Sequence, residues 1–399
     1  MSRKRKNILV LTYWSYSDAL IQTYTLPYLK IINEVISPDS TIHLFTLEKE
    51  GNPPPPPETD SKIKILFERY HPFGPVAIFH SVANLFRLLI YIRKNKITVL
   101  HCWCTPAGAL GYILSLFSRT ELILDSFEPH AESMVENGTW KKNSLAFRIL
   151  WYLEKKQTRK ASAIIAATKG MREYAKINYK SDIVHFYVKP ACVDLETFSL
   201  SKKKDPVLMK ELGLENKITA LYAGKFGGIY LKEEVFQFFS CARAFWGEQL
   251  KILLLTSHSR EEILSLASQF GLPEELFIIK FIEHQHIPSY IGLADFALTP
   301  VKSVPTKRYC SPIKDAEYWA MGIPVLITAE ISEDSRLIAE NQIGYVWQSN
   351  STKEFNKSIQ YVNSFLLQKN NDWAHKIRNI AIINRNFSIA KKVYTEIYG

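Results

Sequence analysis

Residues 311–328 read SPIKDAEYWAMGIPVLIT. Ser311 is a favoured helix N-cap, Pro312 suits the first helical position, Gly322 suits the stop, and Pro324 forbids continuation before the apolar run Val325–Thr328. The stretch therefore predicts a short helix feeding a buried strand, the building unit of parallel sheets covered by helices. On that helix Ile313, Ala316 and Ala320 share one face, and Glu317 falls on the same face. An inward carboxylate is costly unless donors meet it, and the hydroxyls of a bound ribose would serve. The first turn offers free N–H groups and Lys314 to a phosphate. One short helix can thus grip both ends of a nucleoside diphosphate. The same residues also fit an ordinary surface, with Asp315 and Glu317 solvated and Lys314 a free cation.

The same rhythm extends over the chain, as short β-branched runs alternating with longer amphipathic stretches. In the first half it predicts strands at 8–12, 41–47, 97–101, 121–125 and 163–167, with helices at 20–36, 76–94, 107–117 and 144–160. The second half predicts strands at 217–223, 251–256, 277–281, 296–299, 324–328 and 345–347, and terminal helices at 372–383 and 388–397. Two doubly wound α/β domains follow. A chain of 399 residues fits that number, since one core rarely keeps growing beyond ~250–300 residues. A boundary is expected at Ser201–Pro206, where a lysine run meets a proline. Pro53–Pro57 reads as a stiff polyproline surface loop inside the first domain.

With 47% hydrophobic and 22% charged residues and no apolar run of ~18, the composition is that of a soluble globular protein, expected in the cytoplasm. Its five cysteines are odd in number and scattered, which favours free thiols over a disulfide framework or a metal site. The net charge of +11 gathers in the first half, at MSRKRK, Arg93–Lys96, Lys141–Lys142, Glu154–Lys160 and Lys202–Lys204. That distribution suits a basic face on one domain, docking at the anionic inner face of a membrane, or equally an ordinary solvated surface. No aromatic and basic motif of the known nucleic-acid binders is present, so nucleic acid is not an expected partner.

Two further places can carry chemistry. Gly224-Lys225-Phe226-Gly227-Gly228 follows the strand ITALYA; its amides can approach a diphosphate, and Lys225 can neutralise charge on a leaving group. In the first domain Asp125, Glu128 and His130 lie just past a strand end, where a carboxylate and an imidazole can bind sugar hydroxyls or handle an acceptor proton. They equally suit a polar loop shaped by Glu128 and Pro129.

Several stretches resemble the retaining glycosyltransferases of family 4. They are YAGKFGG (222–228), HIPSYIGLADFALTP (286–300), SPIKDAEYWAMGIPVLIT itself, ISEDSRLIAENQIGYVW (331–347) and, near the domain boundary, KPACVDLETFSL (189–200). They lie in the family's order, whereas the first domain is similar mainly through 14–32 and the segment from Leu124 to Met171. The resemblance implies a GT-B fold, two Rossmann-like domains facing a central cleft that closes to exclude water. Residues 1–200 would form the acceptor-side domain, 207–370 the nucleotide-sugar donor domain, and 371–399 terminal helices packing back on the first.

It further implies transfer of a sugar from a nucleotide-diphosphate sugar to a hydroxyl of a glycan or lipid-linked acceptor, with retention, without metal or cofactor, in polysaccharide or glycoconjugate synthesis. Lys225 and Lys314 would meet the leaving diphosphate and His130 the acceptor hydroxyl. Gly224, Phe226, Gly227, Ser311, Pro312, Ile313, Glu317 and Tyr309 would hold the donor, and Ser15, Tyr16, Asp125 and Glu128 would face the acceptor. The chain departs from the family pattern in three places, one of them the glycine-rich loop usual after the first strand, where Ser15, Tyr16 and Ser17 stand instead. Tyr309 stands where the first of two glutamates, eight positions before Glu317, is usual, and Tyr230 replaces the second member of a basic pair begun by Lys225. A sugar-nucleotide epimerase or a non-catalytic nucleotide-sugar-binding subunit is the rival reading.

Overall fold

The computed structural model describes residues 5–49, 63–71, 75–368 and 372–399. The expected polyproline loop at Pro53–Pro57 lies outside them. The described chain forms two compact units, Met1–Pro190 with Ser388–Gly399, and Ala191–Phe387. The lysine run that meets Pro206 lies inside the second unit, where Lys204 bonds the Leu293 carbonyl at 2.7 Å and pairs with Asp295 at 2.8 Å.

In the first unit the strands are β1 (Ile8–Leu11), β2 (Ile42–Glu48), β3 (Ile63–Arg69), β4 (Val99–Trp103), β5 (Glu121–Asp125), β6 (Ala163–Ala166) and β7 (Phe186–Val188). They form one parallel sheet in the order β3-β2-β1-β4-β5-β6-β7. Helices α1 (Leu26–Val35), α2 (Pro75–Lys94), α3 (Thr105–Phe117), α4 (His130–Glu136) and α5 (Leu145–Lys160) connect them. A π-helical turn, Leu20–Thr25, leads into α1, where a single helix over 20–36 was expected.

The second unit holds β8 (Ile218–Ala223), β9 (Leu250–Leu255), β10 (Phe277–Lys280), β11 (Phe296–Thr299), β12 (Val325–Thr328) and β13 (Gly344–Trp347). All are parallel, in the order β10-β9-β8-β11-β12-β13. Their near-continuous apolar sequences follow from burial on both faces. Alternate residues serve two cores. Leu221, Leu253, Ala297 and Val325 join Ala316 and Trp319 on one face, and Tyr222, Leu254, Leu298 and Leu326 join Phe238 and Phe355 on the other.

In both sheets the chain starts in an inner strand, runs to one edge, then returns to build outward on the other side. The direction reverses between β1 and β4 in the first sheet and between β8 and β11 in the second. Loops leaving the carboxyl ends of these strands diverge and leave a crevice, the usual ligand site of doubly wound sheets.

The helix Ile313–Ala320 is fixed at its C-terminal end by a Schellman turn: Ile323 N–H bonds Tyr318 O and Gly322 N–H bonds Trp319 O, both at 2.9 Å. Gly322 has φ +65°, and a Cβ there would lie 2.7 Å from the Ala374 carbonyl oxygen. Gly322→Ala should therefore cost about 2–3 kcal/mol in urea unfolding, from left-handed strain plus a backbone clash. A change within about 0.5 kcal/mol would contradict this packing.

Candidate functional site at the second sheet's switch point

After β8 the chain turns through Gly224–Gly228, with Gly227 at φ +80° and Gly228 at φ +61°. The Phe226 ring is buried against Tyr222 (centroids 4.6 Å) and Phe236 (5.4 Å). Its backbone N–H donates to His258 Nε2 at 3.0 Å, and His258 Nδ1 lies 2.9 Å from Glu262. An imidazole that accepts at Nε2 carries its proton on Nδ1, so Glu262 orients the ring that holds the turn. Phe226 thus anchors the turn, and its amide is already engaged. The Tyr222 hydroxyl bonds the Lys225 carbonyl. Lys225 itself is exposed, and no described residue pairs with its ammonium group.

The loop after β11 is sewn to this turn. Leu231 N–H bonds Pro300 O at 2.8 Å, Lys302 N–H bonds Ile229 O at 2.9 Å, and Tyr230 bridges to Val301. Tyr230 sits close to Cys310 and Asp315, and burial raises its pKa. This loop carries half-buried Tyr309 and then the helix Ile313–Ala320. The crevice between β8 and β11 is therefore bordered by the glycine turn on one side and by this helix on the other.

The structure corrects the expected cap. The helix begins at Ile313, with Pro312 before it and no side-chain cap. Ser311 Oγ instead accepts from Ala191 N–H at 3.0 Å and from Arg385. Ser311 is thereby spent on tertiary structure, and the first-turn amides have no side-chain acceptor. Glu317 is 4% exposed and accepts from Lys314 Nζ at 2.8 Å. The two groups assigned separately to ribose and phosphate are thus one ion pair, three residues apart, at the crevice.

Asp315 is fully buried, not on the surface. Thr299, at the end of β11, donates to one carboxyl oxygen, and the group lies beside Asp334, which pairs with Arg385. Burial, then the charge of Asp334, push the Asp315 pKa well above the carboxylate range. One proton between two carboxyl groups leaves a single negative charge for the guanidinium. Sequence reasoning missed this anchor because its members come from four separate segments.

The first-unit residues divide. Asp125 has no exposed surface, which removes it from acceptor contact. It binds Lys189 at 3.1 Å, His101 at 3.2 Å and the Tyr394 hydroxyl at 2.8 Å. Burial alone would raise its pKa, but Lys189, His101 and Tyr394 outweigh it and hold the group at about 2. Lys189 Nζ in turn lies over the rings of Tyr28 (3.9 Å) and Trp103 (5.2 Å). Tyr16, 3% exposed, is likewise withdrawn: its N–H donates to Glu48 at 3.0 Å and its ring meets Phe67 edge-on. Ser15 Oγ donates to the Leu47 carbonyl at 3.1 Å and accepts from Lys49 N–H at 3.0 Å. Glu128 and His130, 3.4 Å apart and about one-third exposed, remain open beyond β5.

Among the described residues no cluster of three His, Cys, Asp or Glu is placed to hold a metal ion. The five cysteines are free thiols.

No family model and no curated protein matches this sequence. Solved structures do. Sucrose-phosphate synthase from Thermosynechococcus elongatus superposes with a TM-score of 0.76 at 14% identity, over 99% of this chain and 98% of that one. HepE of Anabaena in complex with UDP-glucose gives 0.69 at 15% identity, over 98% of each chain. WaaG, a glycosyltransferase involved in lipopolysaccharide biosynthesis, gives 0.71 at 13% identity, over 98% of this chain and 99% of that one.

Asp315 gives a signed pH dependence. Because its folded pKa lies above the unfolded value of about 3.9, the folded state binds the extra proton above that pH. Stability is full below the unfolded pKa and falls as pH rises toward the folded one, by up to about 1.4 kcal/mol per pH unit. Asp315→Asn, neutral throughout, should lose less stability than wild type between pH 5 and pH 8 in paired denaturant titrations; equal slopes would mean that Asp315 is ionised. With these distances and neighbours, the two described sheets have the fold of the GT-B glycosyltransferases.

Proposed function

We propose that the chain is a glycosyltransferase that moves a sugar from a nucleoside-diphosphate sugar to an acceptor hydroxyl, with retention of anomeric configuration and without a metal. The observation that carries this reading is the juxtaposition, at the β8/β11 switch point, of the exposed Lys225 turn with the Lys314–Glu317 pair on an uncapped helix start. The fold shared with nucleotide-sugar enzymes, one of them holding UDP-glucose, supports it.

In this reading the ribose hydroxyls donate to the Glu317 carboxylate, in place of the Lys314 ammonium. Lys314, released, turns its charge to the diphosphate beside the free N–H groups of the first helical turn. Lys225 meets the charge that grows as the glycosidic C–O bond breaks. The acceptor hydroxyl attacks the same face, and its proton passes to a leaving phosphate oxygen. Glu128 and His130 are the acceptor-side groups with surface to offer. The acceptor is a glycan or lipid-linked hydroxyl, in polysaccharide or glycoconjugate synthesis, and the protein works in the cytoplasm.

A non-catalytic nucleotide-sugar-binding subunit is the second reading, favoured by Tyr309 where a glutamate is usual. Screening UDP-, GDP- and ADP-sugars for nucleoside-diphosphate release and thermal shift separates the readings. The proposal expects release from at least one donor, increased by acceptor. A thermal shift without release supports the binding subunit, turnover of the sugar without acceptor an epimerase, and neither shift nor release contradicts all three.

Lys225→Ala should lower kcat roughly 10²–10³-fold with donor KM within a few-fold, because its charge is met in the transition state. Equal losses in kcat and donor affinity would reduce Lys225 to ground-state binding. Glu317→Gln should weaken donor binding roughly tenfold with the fold intact; unchanged affinity would return Glu317 to a structural role.

A further inference from the structure

Helix α5 has one face committed to the fold and another that is exposed among the described residues. Leu150, with Ala109 and Ala131, forms a small core joining α5 to α3 and α4. Glu154, the only acidic residue of the helix, also faces inward. It is 0% exposed, accepts from Ala131 N–H at 2.8 Å and from the Tyr179 hydroxyl at 2.9 Å, and burial raises its pKa to about 8. On the outside Leu145 is 70%, Ile149 50% and Tyr152 53% exposed, spaced four and three residues apart so that they form one stripe.

Cations flank that stripe. Between Lys141 and Lys160 the sequence carries seven lysines and arginines against Glu154 alone, so the outer face has no acidic side chain to neutralise them. Lys142 and Arg148 are exposed at the amino end, and Lys156 lies over the Tyr152 ring at 5.2 Å. An apolar stripe bordered by long basic side chains suits the boundary between headgroups and acyl chains, where apolar groups enter the hydrocarbon and ammonium groups remain with phosphates. A folded protein partner would need a matching acidic apolar groove, whereas a bilayer of anionic lipid supplies both properties at once.

We propose that the outer face of α5, through Leu145, Ile149, Tyr152 and the flanking cations, docks the protein on anionic lipid. No described helix is long and apolar enough to cross a membrane, so docking is peripheral. Helix α4, which starts with His130, packs on the inner side of α5, so the Glu128–His130 pair belongs to the same helix layer as the docked helix. A lipid-linked acceptor hydroxyl would then be presented at the membrane surface. That meaning rests on the glycosyl-transfer reading, but docking itself does not.

The test is cosedimentation of the full chain with vesicles of phosphatidylcholine, alone or mixed with phosphatidylglycerol, at low and high salt. Wild type should bind the mixed vesicles roughly tenfold more tightly than phosphatidylcholine alone, and salt should weaken binding without abolishing it. Ile149→Glu should cut binding to mixed vesicles roughly tenfold at unchanged thermal stability and unchanged nucleoside-diphosphate release from a soluble donor. Should that variant not fold, Leu145→Ser is measured in its place with the same expectation. Absent binding to mixed vesicles, equal binding by the folded variant, or binding that RNA displaces from both proteins alike would overturn the proposal. Loss of donor turnover in every protein would sink the transfer reading and leave the docking result standing.

Discussion

Two arginines, seven residues apart in sequence, hold the helix Ile313–Ala320 from both ends. Arg378 donates to the Ala320 carbonyl at its C-terminal end and to the carbonyls of Phe198 at 2.6 Å and Leu195 at 2.7 Å. Arg385, 2% exposed, bonds Ser311 just before the first turn and pairs with buried Asp334, which lies beside Asp315. Removing either guanidinium would leave carbonyls or a carboxyl group buried without a partner, which costs more than the bond itself contributes. A helix so constrained cannot tilt without breaking one of these contacts. The position of its amino end, and so of Lys314 and Glu317, follows from that.

At the glycine turn a rigid frame surrounds an exposed charge. Phe226 buries the middle of the glycine turn, His258 takes its amide, and Tyr222 takes the Lys225 carbonyl, so the backbone is fixed while the Lys225 side chain is not. Across the crevice the Lys314–Glu317 pair is partly exposed on the lysine side and buried on the glutamate side. A pair so placed keeps Glu317 from being an uncompensated buried charge, while leaving its partner able to move. In the first unit the buried polar groups have the opposite use: Lys189, His101 and Asp125 lie entirely inside, and Tyr394 and Tyr398 of the last helix bond to Asp125 and His101.

Much of the fold was legible because parallel strands buried on both faces show as apolar runs, and all six strands of the second sheet stand out this way. β3 escaped because its residues are only partly buried and its sequence, IKILFER, is interspersed with charges; β7 escaped because it has three residues. In the candidate site, what depends on local spacing was legible, as with the three-residue step from Lys314 to Glu317, which the structure pairs. It was illegible where long-range partners decide. Ser311 has the chemistry of a cap, but Arg385, 74 positions away, claims its hydroxyl. Asp125 lies at a strand end, as ligand-binding residues often do, yet a lysine 64 positions on and a tyrosine 269 positions on consume it.

The central claim is that a nucleoside diphosphate binds between the Gly224–Gly228 turn and the start of the Ile313–Ala320 helix. A crystal structure with the nucleoside diphosphate that stabilises the protein most would test it directly. The account predicts phosphate oxygens on the first-turn amides, ribose hydroxyls on Glu317, and Lys314 moved from Glu317 toward the phosphates. A nucleotide bound elsewhere, with the 2.8 Å Lys314–Glu317 pair intact, would contradict it.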